Sequence, residues 1–119
     1  MHMENPKPIF LRIFGDTPKL RVMDYLIVND DYDHSMKDIA RNARVGYTTL
    51  KQFWKQLLKE EIIFFTRQVG KAKMYKLNKK NPIVKEFVKL HWTTVKAYVR
   101  KHIIKQKKIT IKKSKEKKN

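Results

Sequence analysis

The chain has 119 residues, enough for one compact domain and an appendage. It carries 29 Lys and Arg against 11 Asp and Glu, a formal net charge of +18, which favours a polyanion or an acidic membrane surface as partner. The absence of cysteine excludes disulfides and thiolate metal sites, and the longest wholly apolar run, Ile62–Phe65, is too short for a signal peptide or a membrane span, so a cytoplasmic protein is expected.

The positive charge is not confined to a tail. Residues 1–99 hold 19 basic and 10 acidic side chains, and residues 100–119 hold 10 and 1, so the two parts contribute equally. A chain this short also gains stability from dimerisation.

In chain order, residues 1–15 read as an N-terminal arm. Pro6 and Pro8 oppose helix, and Ile9–Phe14 is an apolar stretch, interrupted by Arg12, whose pattern leaves strand and helical turn both open. Thr17-Pro18 then has the form of an N-cap followed by proline at the first helical position. Leu20, Met23, Tyr25, Leu26, Ile27 and Val28 make a largely buried first helix, ended by the polar break Asn29–Asp33. Ser35 opens a second helix, with Asp38 completing a variant capping box. Its Met36, Ile39, Ala40 and Ala43 fall on one face. A third helix follows Gly46, with Leu50, Phe53, Trp54, Leu57 and Leu58 at the same spacing and Lys51, Gln52, Lys55, Gln56 and Lys59 on the remaining positions.

After Glu60-Glu61 the composition turns to β-formers. Ile62–Arg67 predicts a strand, Val69–Ala72 a turn, and Lys73–Leu77 a returning strand, together a basic-tipped hairpin. Asn81-Pro82 opens a last helix. Two apolar rows run along it: Ile83, Phe87, Leu90, Thr94, Ala97 and Val84, Val88, His91, Val95, Tyr98. The pattern predicts this helix over residues 81–105, and a Lys-rich, low-complexity, disordered tail over 106–119.

Helix, helix, tight turn, helix and basic hairpin is the order of a winged helix-turn-helix, an α+β fold, here with a long C-terminal helix. The segment Asp38-Ile39-Ala40-Arg41-Asn42-Ala43-Arg44-Val45-Gly46-Tyr47-Thr48-Thr49-Leu50-Lys51-Gln52-Phe53-Trp54 resembles the helix-turn-helix of archaeal and bacterial winged-helix regulators, the broad ArsR/MarR-like group. Ala40, Val45, Leu50, Trp54 and Leu57 sit where that group packs its three helices, and Gly70, Lys71, Tyr75 and Leu77 where it places its wing. The resemblance covers residues 16–80 and implies a transcriptional regulator, of archaeal type. Two departures stand out. Arg44 and Glu61 occupy positions where such regulators usually have glycine, and a left-handed backbone there costs a non-glycine residue about 1 kcal/mol.

The resemblance places the third helix in a major groove of double-stranded DNA, where Tyr47, Thr48, Thr49, Lys51, Gln52 and Lys55 would meet base edges. Gln52 suits adenine, the threonines a thymine methyl or a phosphate, and the lysines guanine or backbone oxygens. Arg67, Lys71 and Lys73 would bring the wing to phosphate or the minor groove, and Arg41 and Arg44 would clamp the backbone. A homodimer is expected, built on the last helix through Phe87, Leu90, His91, Val95 and Tyr98, with repression by blocking polymerase as the default mode. Control would come from protein concentration or from a small ligand held between the last helix and the core. Asp30, Asp31, Asp33 and His34 read as a solvated break and not as a metal site. No cofactor, metal, enzymatic activity or membrane partner is expected: only 3 glycines are present, with no phosphate-cradling loop and no paired carboxylates beside a nucleophile. The alternatives are an architectural, nucleoid-type DNA-binding protein of low specificity and a winged-helix protein-interaction module.

Overall fold

The computed structural model describes residues 7–117, with side chains through Thr110. Residues 1–6 of the expected arm and 118–119 of the expected tail lie outside the described residues.

The stretch Ile9–Phe14 is a helix, α1, six residues long. So short a helix does not hold in water alone. It is held because Phe10 and Leu11 are buried, Phe10 lying edge-on to Phe87 at 5.4 Å. Gly15, with φ 110°, turns the chain away. Helix α2, Pro18–Val28, starts as its sequence dictates: the Thr17 hydroxyl accepts from the Leu20 N–H at 3.2 Å, and Pro18 stands where no N–H is needed. Its buried face is Val22, Met23, Asp24, Leu26 and Ile27. Val28, expected inside, is 52% exposed.

A two-residue strand β1, His34–Ser35, leads into helix α3, Met36–Ala43. Ser35 serves both elements, pairing with Met74 in the sheet and capping α3 by accepting from Asp38 N–H at 3.2 Å. Helix α4, Tyr47–Lys59, buries Leu50, Trp54 and Leu57. Strands β2, Ile63–Val69, and β3, Ala72–Leu77, form the hairpin, turning at Gly70 with φ 60°. The sheet order is β1-β3-β2, all antiparallel. The register breaks between Phe65, opposite Tyr75, and Arg67, opposite Met74, leaving Thr66 as a bulge. The core joins Val22, Leu26, Ile27, Ile39, Leu50, Ile63 and Val84 from helices and sheet.

Helix α5 runs Pro82–Lys117, 36 residues, and so passes well beyond the expected end near residue 105. No glycine or proline follows Pro82, and Lys, Gln and Arg are strong helix formers. Helix therefore continues past the point where the apolar pattern fades. The two apolar rows part company here. Val84 and His91 of one row are buried against the body, with Val88, Val95 and Tyr98 half-buried. In the other, Ile83 and Leu90 are exposed, at 66% and 44%.

Candidate nucleic-acid interface

The turn between α3 and α4 sets how α4 is presented. Arg44 ends α3 with φ 57° and ψ 46°, a left-handed conformation. The chain closes around it by bonds from Arg44 N to Arg41 O and from Val45 N to Ala40 O, the Schellman pattern that glycine normally serves. The strained carbonyl is put to use: Arg44 O accepts from Arg21 Nη1 at 2.9 Å. Arg21 is in turn forked onto Asp16, which also pairs with Lys7 at 3.2 Å. The Arg21 guanidinium, with help from Lys7, holds the Asp16 carboxyl down at about 2. Glu61 repeats the device after α4, also at φ 57°, with Glu61 N bonded to Leu58 O and Ile62 N to Leu57 O. Its carbonyl accepts from the side-chain amides of Asn78 and Asn81 at 2.9 and 3.0 Å. The two missing glycines are thus compensated by packing and side-chain bonds, and both turns keep their form.

On α4 the core row Leu50, Trp54, Leu57 leaves the opposite face to solvent. Thr48, Lys51, Gln52, Lys55 and Lys59 are all exposed there, advancing by three and four along the helix. Tyr47 is partly exposed, and Lys51 Nζ lies 4.6 Å from its ring centroid. Thr49 is half-buried beside the Gly46 turn, where its hydroxyl would lie 3.6 Å from an added Cβ, so it has less surface to offer than the sequence implied. Among the described residues, Lys51, Lys55, Lys59, Lys71 and Lys73 have no acidic partner, whereas Arg21, Arg41, Arg67 and Lys79 do. Arg41 is paired with Asp38 at the start of its own helix. The Arg44 side chain is exposed.

The wing is where sequence and structure differ most. Lys71 and Lys73 are exposed at its tip. Arg67 is exposed too, but its guanidinium is forked onto Asp33, Nε to Oδ2 at 2.9 Å and Nη2 to Oδ1 at 3.2 Å. The Thr66 hydroxyl donates to the same carboxylate at 2.6 Å. Arg67 first and Thr66 second hold the Asp33 carboxyl down at about 2. Asp30 pairs with Lys79 at 3.0 Å. Asp30 and Asp33 are therefore struts, and of the break that the composition suggested only Asp31 and Tyr32 stand exposed. His34 is buried, bonded to Tyr25 Oη at 3.1 Å and Asn29 O at 2.8 Å. Among the described residues no three His, Asp or Glu side chains converge on a metal position.

His91, expected at a dimer interface, is 1% exposed within the single chain. Its Nε2 meets Asp24 Oδ1 at 2.7 Å and its ring lies 5.0 Å from that of Phe10. It is a core residue that pins α5 to α2, with no surface to give a partner. Phe87, Val95 and Tyr98 are half-buried, and Leu90 is the exposed member of the expected set. A cleft of about 960 Å³ opens where α1, α2, the end of α3 and α5 meet, lined by Phe10, Asp24, Tyr25, Asn42, His91 and Trp92. His91 Nδ1, at its wall, is buried without a hydrogen-bond partner among the described residues.

A helix-turn-helix flanked by the strands of one three-stranded sheet, with its hairpin following α4, defines a winged helix-turn-helix, here with a long C-terminal helix. Solved structures share the fold. MepR of Staphylococcus aureus, a transcription regulator of the multidrug efflux pump MepA, superposes with a TM-score of 0.58 at 14% identity, covering 92% of this chain and 84% of its own. A double mutant of Lactococcus lactis ZitR in apo form gives 0.56 at 18% identity, with coverages of 76% and 71%. NadR in complex with 4-hydroxyphenylacetate gives 0.58 at 15%, with 89% and 75%. ZitR is also known in complex with DNA. No protein-family model matches the chain, and no curated protein matches it in sequence.

Proposed function

We propose that this protein is a non-enzymatic, sequence-specific regulator that binds double-stranded DNA in the cytoplasm as a homodimer. Helix α4 enters the major groove and the wing tip meets the flanking backbone or minor groove. The observation that carries this reading is the charge state of the exposed face. The lysines on α4 and the wing tip, Lys51, Lys55, Lys59, Lys71 and Lys73, are exposed and lack acidic partners among the described residues. Unpaired lysines along a helix that fits a groove are what phosphate and base edges require. Resemblance in fold to MepR, a transcription regulator, and to ZitR, known bound to DNA, supports the same reading.

The dimer is proposed along the exposed apolar row of α5, Ile83, Leu90 and Ile104, joined by Ile13 and Phe14 of α1, all of them exposed in the single chain. Sedimentation tests it: Leu90→Lys should yield monomers. Repression follows from occupancy of a promoter, and the cleft beside His91 is the proposed place for a small effector to act on α5.

The deciding experiment is selection of bound duplexes from a random library, followed by affinity against salt. A symmetric motif with half-sites about 34 Å apart is expected. Neutralising some 6–10 phosphates, binding should weaken by roughly a thousandfold between about 50 and 200 mM salt. Lys51→Glu with Lys55→Glu should abolish it. A flat salt response would refute DNA binding. A specificity ratio near one would move the reading to an architectural protein, which the cationic end of α5, Arg100 to Lys108, otherwise favours.

A further inference from the structure

Asp33 stands in the loop between α2 and β1, yet its carboxylate bonds to β2, on the far side of the sheet. It thereby braces the two outer strands across β3. Its side chain is 11% exposed and takes three hydrogen bonds, two from Arg67 and one from Thr66. Thr66 is the bulge residue, without a partner on β3. Its single hydroxyl proton has two acceptors within reach, Asp33 Oδ2 at 2.6 Å and Met74 O at 3.2 Å, and the shorter contact is to the carboxylate. A bulge bends and twists its strand. Everything the wing tip presents, Gln68, Lys71 and Lys73, lies beyond this bend.

We propose that Asp33 is a positioning residue that fixes the angle of the wing, and that Arg67 serves it as a ligand of that carboxylate and not as a contact to phosphate. The proposal rests on the DNA-binding reading. Energetics favour Arg67 staying in place. Moving it to a phosphate exchanges one forked, charge-assisted pair for another. The exchange also leaves the Asp33 anion beside an approaching polyanion with its counter-charge gone, which is a net cost.

The two roles for Arg67 predict opposite signs. Affinity for random-sequence duplex is measured across salt for the full chain and for Asp33→Asn, Arg67→Gln, Arg67→Lys, the double variant Asp33→Asn with Arg67→Gln, and Lys71→Gln as control. Positioning predicts that Asp33→Asn weakens binding although it removes a negative charge, by about tenfold, the size of one lost charge-assisted interaction. Arg67→Gln and Arg67→Lys weaken it similarly with the salt slope unchanged, and the double variant is no weaker than either single one. Lys71→Gln lowers the slope by about 0.9. Tighter binding by Asp33→Asn, near-normal binding by Arg67→Lys, or a slope lowered by about 0.9 in Arg67→Gln would overturn the proposal. Amide hydrogen exchange in the free protein supplies a readout that needs no DNA. Asp33→Asn should speed exchange across Gln68–Lys73 and leave Ile63 protected. Unchanged exchange there sinks the positioning role whether or not the chain binds DNA, and absence of duplex binding by the unaltered chain sinks only the DNA reading.

Discussion

Trp54 brings to the core an N–H that finds no acceptor among the described residues. Its Nε1 is buried and unpaired, and its ring meets Tyr75 edge-on at 5.0 Å and 89°. A buried donor without a partner costs about 1–3 kcal/mol, which offsets part of what the large ring gains by burial. Trp54→Phe should therefore change stability by less than about 1 kcal/mol in urea unfolding, while Trp54→Ala should cost about 3–5 kcal/mol. Arg44 and Glu61 pose the converse case, side chains held at a backbone angle that suits glycine. Glu61→Gly should raise stability by about 0.5–1 kcal/mol, the relieved left-handed strain less the added entropy of the unfolded chain. Arg44→Gly should raise it similarly and yet weaken duplex binding, since it removes an exposed cation at the candidate interface. Thermal unfolding and a binding isotherm on the same variant separate the two effects. Both departures from glycine are visible in the sequence. Their compensation is not, because Arg21 lies 23 residues from Arg44, and Asn78 17 from Glu61.

Among the elements, the wing depends on a loop that carries no periodic signal. The three helices of the helix-turn-helix and the hairpin were legible because apolar spacing and caps are local properties. Strand β1 was not, since two residues cannot display an alternation. The bonds of the acidic loop are hidden in the sequence for a related reason: three aspartates among polar residues look the same whether solvated or bonded to a distant strand. The pairing makes a pH prediction. The folded-state pKa of Asp33 is depressed from 3.8 to about 2, with Arg67 the main cause. Its contribution is therefore complete above about pH 4 and is lost as the pH falls through about 2. Amide shifts of Thr66 to Val69 should titrate with a midpoint near 2, and Asp33→Asn should remove that step. The similar step of Asp16, held down by Arg21, should persist in the same variant.

At the scale of the whole molecule, α5 is at once the roof of the core and an arm that leaves it. Its amphipathic rows were readable, but which row turns inward was decided by contacts between residues 67 apart, Asp24 and His91. Removing the imidazole empties a fully buried ring site and leaves the Asp24 carboxyl without its hydrogen-bond partner, so His91→Ala should cost about 2–5 kcal/mol in chemical denaturation. Asp24→Asn, which keeps a hydrogen-bonding oxygen, should cost less. The bond also locks the azimuth of α5. A helix pinned to α2 at His91 and packed along its buried row resists rolling about its own axis, so the outward row keeps a constant phase relative to the proposed reading head, α4. Two such heads, joined back to back, would behave as a caliper with no play. Inserting one base pair between half-sites turns them apart by about 34°, and a caliper of that kind should tolerate no such insertion. Weakening the pin at Asp24 should broaden the range of operator spacings accepted before it alters the sequence preferred within either half.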